Sequence, residues 1–221
     1  MISDSVILSN VVASQSIHEL YGGVVPELAS REHQKLILPV VEKVLKEAGI
    51  SVNELSAVAF TNGPGLVGSL MVGTSFAKSM SLALDIPLIA VNHMQAHILA
   101  HFIDDPENDN PDFPFLALTI SGGHTQIVKV NSAFDMEVLG ETLDDAAGEA
   151  FDKSGKVIGL KYPAGPQIDK LSKDGDSNEY RFTKPKVGGL DFSFSGLKTN
   201  FLNFIHKETR NDENFIKKNL N

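Results

Sequence analysis

The stretch PLIAVNHMQAHILAHF, Pro87–Phe102, decides the fold class. Its first half, PLIAVN, is a short apolar run that reads as a strand, and its second half opens a helix at His93. A strand handing directly to a helix is the unit from which α/β proteins are built, and their ligand sites gather at the carboxyl ends of strands. His93, His97 and His101 recur every four residues, so a helix stacks the three imidazoles along one face. A bare pair at that spacing is more often exposed or core-capping than metal-bound, but the strand-end position favours His93 and His97 as metal ligands. Met94 follows His93 where the zinc-protease pattern HExxH has glutamate, so that general base is missing. His101 is expected farther from the metal or on the surface.

Working outward, VILSNVVA (6–13) reads as a strand. A helix follows, with Pro26 and Ser30 near its start, an apolar period at Leu36, Ile37, Val40, Val41, Val44 and Leu45, and Gly49 at its end. LSAVAFTNG (55–63) reads as a strand running through a Gly-Pro-Gly turn into a helix over about 67–84. Past the histidines, DDPENDNPDFP (104–114) holds three prolines and five acidic residues. It is the natural linker between an N-terminal lobe, 1–104, and a second lobe, 115–221. FLALTISGGHTQIVKV (115–130) reads as a hairpin around Gly122-Gly123. A helix over about 143–158, turns at Gly159 and at Pro163–Pro166, and a helix within GLDFSFSGLKTNFLNFIHK complete an α/β pattern.

Composition narrows the chemistry. The 221 residues include no cysteine, which excludes disulfides, thiolate-zinc sites and thiol catalysis. The start MISDSVILSN lacks a basic region followed by a long apolar one, and the most apolar stretch, 66–84, contains Lys78 and many small residues. It reads as a buried helix that packs closely, in a soluble, cytoplasmic protein. The net charge of −9 argues against a simple nucleic-acid binder. From Tyr180 onward, however, eight Lys/Arg face four Asp/Glu. That local excess (Arg181, Lys184, Lys186, Lys198, Lys207, Arg210, Lys217 and Lys218) suits a polyanion surface or a mixed solvated one.

Four further segments carry possible chemistry. In TISGGHTQ (119–126) consecutive glycines allow positive φ and amides that converge on phosphate, or an ordinary hairpin turn. TNGPGLVG (61–68) could set a helix N-terminus near an anion, but lacks the GK[ST] of a P-loop. In LDDAAGEAFDK (143–153) a helix puts Asp145, Glu149 and Asp152 on one face, either solvated or bonding ribose hydroxyls. YPAGPQID (162–169) offers a glycine and an aspartate in a tight turn, with the same two readings.

In sequence and order, YGGVVPELASREH, GPGLVGSL, NHMQAHILA, SGGHTQIV, GETLDDAAGEAFDK and GLDFSFSGLKT resemble the TsaD/Gcp/YgjD family, bacterial type, over nearly the whole chain. The resemblance implies a two-lobed fold of the actin/hexokinase/heat-shock ATPase type. It implies transfer of a threonylcarbamoyl group from threonylcarbamoyl-AMP to N6 of adenosine 37 in tRNAs that read codons beginning with A. It assigns His93 and His97 to a divalent metal, Fe2+ or Zn2+, and Thr119, Ile120, Ser121, Gly122 and Gly123 to a substrate-binding hairpin. Asp152, Gly165 and Asp169 match nucleotide-contacting positions. TsaB and TsaE-type proteins are the implied partners, with no membrane. Against the family pattern, the first strand and turn and a later aspartate, the third metal ligand, have no counterpart here. The sequence is therefore expected to be an enzyme clipped at both ends. The family's older label, a metallopeptidase, and a non-catalytic fragment that keeps partner contacts are the alternatives.

Overall fold

The computed structural model describes residues 2–3, 6–15, 21–104 and 109–220. The chain divides into two compact units, one of Met1–His18 and Val24–Asp112, the other of Glu19–Gly23 and Phe113–Asn221. The division falls inside the expected linker 104–114, of which 105–108 lie outside the described residues.

In the first unit, the strand expected over 6–13 is much shorter. β1 (Ile2–Ser3) and β2 (Val6–Ile7) pair antiparallel, and 8–15 forms no ladder. Strand propensity is realised only where a neighbour supplies hydrogen bonds and packing. Ser9 instead turns inward, its hydroxyl donating to the Val44 carbonyl at 2.9 Å. α1 (Pro26–Ala48) starts with Pro26 in its first turn, where a missing N–H costs nothing, and stops at Gly49 in the left-handed region, φ 69°. A capping-box turn over Ser51–Glu54 delays β3 (Val58–Gly63) past the expected start at Leu55. α2 (Val67–Leu84) crosses over to β4 (Leu88–Asn92), which pairs parallel with β3 from Val58↔Leu88 to Thr61↔Val91. The small residues of α2 do allow close packing: a Cβ on Gly68 would lie 2.2 Å from the Ser30 hydroxyl of α1. α3 (His93–Leu99) follows β4 directly.

The second unit is built on an antiparallel meander of β5 (Phe115–Ile120), β6 (Thr125–Ser132) and β7 (Asp135–Glu141). Val128 and Val130 of β6 are buried, while Leu116, Leu118 and Ile120 of β5 are exposed. β7 leaves little signal in the sequence, because DMEVLGE alternates too weakly to stand out. α4 (Ala147–Val157), α5 (Gly165–Ser172), α6 (Ser195–Asn211) and α7 (Phe215–Asn219) complete the unit. α4 begins four residues later than expected, because Asp144 and Asp145 are held outside the helix by contacts described below. Among the described residues no helix is long and apolar enough to cross a membrane.

Candidate functional site

Asn92, the last residue of β4, caps α3: its side-chain oxygen accepts from the amides of Met94 (2.9 Å) and Gln95 (3.1 Å). Met94 and Ile98 are buried and anchor the helix, so its exposed side is fixed in direction. On that side the Nε2 atoms of His93 and His97 lie 3.2 Å apart, with ring planes at 63°. Two nitrogens about 2.0–2.1 Å from one ion, at roughly 90–110° to each other, stand about 2.9–3.4 Å apart, so the pair fits a shared divalent cation. The same spacing also suits one ring N–H donating to the other nitrogen. No third His, Asp or Glu joins them in a metal-sized group among the described residues. His101 leaves the stack. α3 ends at Leu99, and His101 is exposed on a 3-10 turn over Ala100–Phe102. The Gly-Pro-Gly turn does lead into α2, whose N-cap Leu66 offers no side-chain acceptor, but a bare helix end is not an anion site.

In the second unit, Thr119↔Gln126 and Ile120↔Thr125 close the hairpin. Ser121 makes the turn: its hydroxyl accepts from the amides of Gly123 (3.3 Å) and His124 (3.0 Å), and its own amide donates to the His124 carbonyl at 2.9 Å. Neither Gly122 nor Gly123 takes a positive φ, contrary to the reading of consecutive glycines. What they provide is bare backbone, since a Cβ on either would meet nothing within 4 Å.

The turn is locked to α4. Buried Thr125 accepts the Ala147 amide on its hydroxyl at 3.0 Å, and the Gly148 amide donates to the Ser121 carbonyl at 3.1 Å. These bonds occupy the first free amides of α4, which has no side-chain cap of its own.

Asp145, Glu149 and Asp152 do not share a helix face. Asp145 precedes α4 and pairs with Lys198 of α6 and, at 2.9 Å, with Lys153, which also meets Glu149 at 2.8 Å. Both Asp145 oxygens are thereby engaged in ion pairs within the unit. Burial works to raise the Asp145 pKa, but Lys198 and Lys153 outweigh it and hold the carboxyl below its usual range. Lys153 is shifted upward by Glu149 and Asp145. Asp144, next to Asp145, accepts from the Phe194 amide at 2.8 Å and the Ser195 amide at 3.1 Å and so caps α6. Asp191 accepts the Glu141 amide at 3.0 Å, and Phe192 bonds the backbone on either side of Thr142. The motifs GETLDD and GLDFSFSGLK are thus two halves of one clamp.

Asp152 lies on α4 and accepts the Ala164 amide at 2.7 Å, fixing the start of α5. Gly165 is the first residue of α5, and exposed Asp169 lies one turn further. The crossing is close: a Cβ on Gly155 would lie 2.2 Å from that of Ala164. Beside it, burial and then the Asp152 charge raise the Tyr162 pKa. The fold therefore brings Asp152 and Gly165 together, with Asp169 on the same short helix. It attaches the hairpin to the other end of α4.

Comparison with known proteins identifies relatives of the whole chain. The family model described as TsaD, tRNA N6-adenosine threonylcarbamoyltransferase, matches residues 6–219. A curated protein of that name from Christiangramia forsetii is 64% identical over 97% of this chain, one from Riemerella anatipestifer 60% over 100%, and one from Porphyromonas gingivalis 55% over 99%. The chain spans 63%, 64% and 65% of these relatives' lengths. A solved structure, YeaZ from Pseudomonas aeruginosa, overlaps 53% of this chain and 55% of its own at 22% identity and a TM-score of 0.35, too little to bear on fold or function.

Proposed function

The chain belongs to the tRNA N6-adenosine threonylcarbamoyltransferase family, and we propose that it serves transfer of a threonylcarbamoyl group from threonylcarbamoyl-AMP to N6 of a tRNA adenosine. The observation that carries this reading is the family match over residues 6–219, which includes every candidate site residue. A two-lobed fold of the actin/hexokinase/heat-shock ATPase type, and work alongside TsaB and TsaE-type proteins in the cytoplasm, are part of the same proposal.

The second unit holds the adenylate. Gly122 and Gly123 let phosphate approach the backbone, while Asp152, Gly165 and Asp169 contact the nucleoside. From Ala147 to Asp152, α4 rises about 7–8 Å, so one rigid helix carries both sets of contacts. In the first unit His93 and His97 would hold Fe2+ or Zn2+. The ion would supply Lewis-acid chemistry when bound. Adenylate leaves with little need of protonation, and no side-chain nucleophile is required. The peptidase alternative lacks support, since Gln95 and Ala96 between the histidines offer no general base.

The test of the whole reading is incorporation of labelled threonine into tRNA from threonylcarbamoyl-AMP, with the partner proteins supplied. No incorporation under conditions where a full-length relative is active would overturn it. Two narrower outcomes are expected. His97→Ala should weaken Zn2+ or Fe2+ binding by about tenfold or more in calorimetry, because it removes one of two protein ligands. An unchanged affinity means the pair is only hydrogen-bonded. Gly122→Val should raise the Kd for AMP about tenfold while the melting midpoint holds, because the added side chain meets open space but covers the backbone. Undiminished AMP affinity would leave Gly122 as a turn residue only.

A further inference from the structure

α6 has two faces of different chemistry. Its inner residues Phe201 and Phe204 pack against Phe182 at 5.6 and 5.5 Å between ring centroids, and Phe204 also meets Tyr180 at 4.9 Å and Phe215 at 5.8 Å. Its outer residues Asn203, His206, Lys207, Arg210 and Asn211 are all exposed and line one shallow concavity of about 580 Å³. The segment before α6 is laid along the helix by the same aromatics and by the Thr183 amide, which donates to Asn200 at 3.3 Å. Exposed Arg181, Lys184 and Lys186 are carried on that strap.

A charged helix face usually does no more than solvate the surface. Three observations set this one apart. Its charges are of one sign on a chain of net charge −9. Among the described residues, the one ion pair on this face is Lys207 with Glu208 at 4.0 Å, a contact worth little in solvent. The face is concave, and Asn203 and Asn211 add neutral hydrogen-bond donors on either side of the cations.

We propose that this outer face of α6, with the 181–186 strap beside it, docks the phosphate backbone of a folded RNA. Its contacts fix position and do not read bases. The inference rests on the tRNA reading for the identity of the polyanion, and its residues include none of the hairpin or of the histidine pair.

The test is fluorescence anisotropy with labelled tRNA between about 50 and 200 mM salt. Lys207→Glu with Arg210→Glu is compared with Lys35→Glu and Lys43→Glu on α1, which alter net charge equally. The α6 pair should weaken binding about tenfold or more at low salt and reduce the slope of log affinity against log salt by about 2. The α1 pair should change affinity by less than about threefold, with both variants folded by circular dichroism. Equal losses from the two pairs, no loss from the α6 pair, or no tRNA binding by the unsubstituted chain each overturn the proposal. AMP titration is unaffected by any of these outcomes, so the enzymatic reading stands or falls separately.

Discussion

Asp145→Ala should lower stability by about 2–4 kcal/mol, a large share of what a small unit has. The side chains of Asp145 and Lys198 are only 13% and 16% exposed. Removing the carboxylate therefore strands an ammonium that water reaches poorly, and Lys153 loses one of its two acidic partners. Asp145→Asn should cost less than Ala, because the amide oxygen still accepts a hydrogen bond. The pH dependence has a defined sign. The folded carboxyl titrates below the unfolded value of about 3.9, so its contribution is complete above that value and is lost as pH falls through the folded pKa. Urea unfolding followed by circular dichroism at pH 7 and near pH 3 measures both effects. An Ala variant within about 0.5 kcal/mol of the parent at pH 7 would show that the clamp adds little.

Gly148→Ala should be nearly as damaging, although alanine is the better helix former by about 1 kcal/mol. An added Cβ would lie 2.7 Å from the Ser121 carbonyl oxygen and 2.9 Å from both Gly122 N and Cα. Backbone atoms cannot swing aside as a side chain can, so the hairpin must lift away from α4. Its bonds from the Gly148 and Ala147 amides weaken with it. Such overpacking costs about 1–3 kcal/mol net, and AMP affinity should fall at least tenfold with the misplaced turn. Here stability and binding fall together, whereas Gly122→Val should spare stability. A Gly148→Ala protein with a raised melting midpoint and normal AMP affinity would mean that the contact yields cheaply.

Where a sequence signal was local, it was legible. Pro26 and Gly49 bounded α1, the Gly-Pro-Gly turn opened α2, and the strand-to-helix junction at Asn92 and His93 was readable because capping and period both act within a few residues. The hairpin around Gly122-Gly123 was readable for the same reason. What depends on distant partners was not. The expected strand 6–13 had the right residues but lacked a ladder beyond Val6–Ile7. Asp145 matched a helical spacing, but two lysines, one of them 53 residues away, hold it outside the helix. Asp144 gave no signal at all, because a carboxylate that caps a helix 50 residues downstream looks like any other surface acid. Joint order of motifs, not the chemistry of any single one, pointed to the family.

The clamp between GETLDD and GLDFSFSGLK has a consequence for the order of assembly. β5, β6 and β7 are neighbours in sequence as well as in space, and such meanders close quickly. The Asp144 cap and the Asp145–Lys198 pair must close loops of about 50 residues before they contribute anything. α6 is therefore expected to join the sheet last during refolding and to leave it first under denaturant, as a separate opening unit. Amide exchange should record lower protection in α6 than in β6, with the difference narrowing when a ligand occupies the outer face of α6. The element that carries the basic outer face is then also the one whose attachment can be tuned.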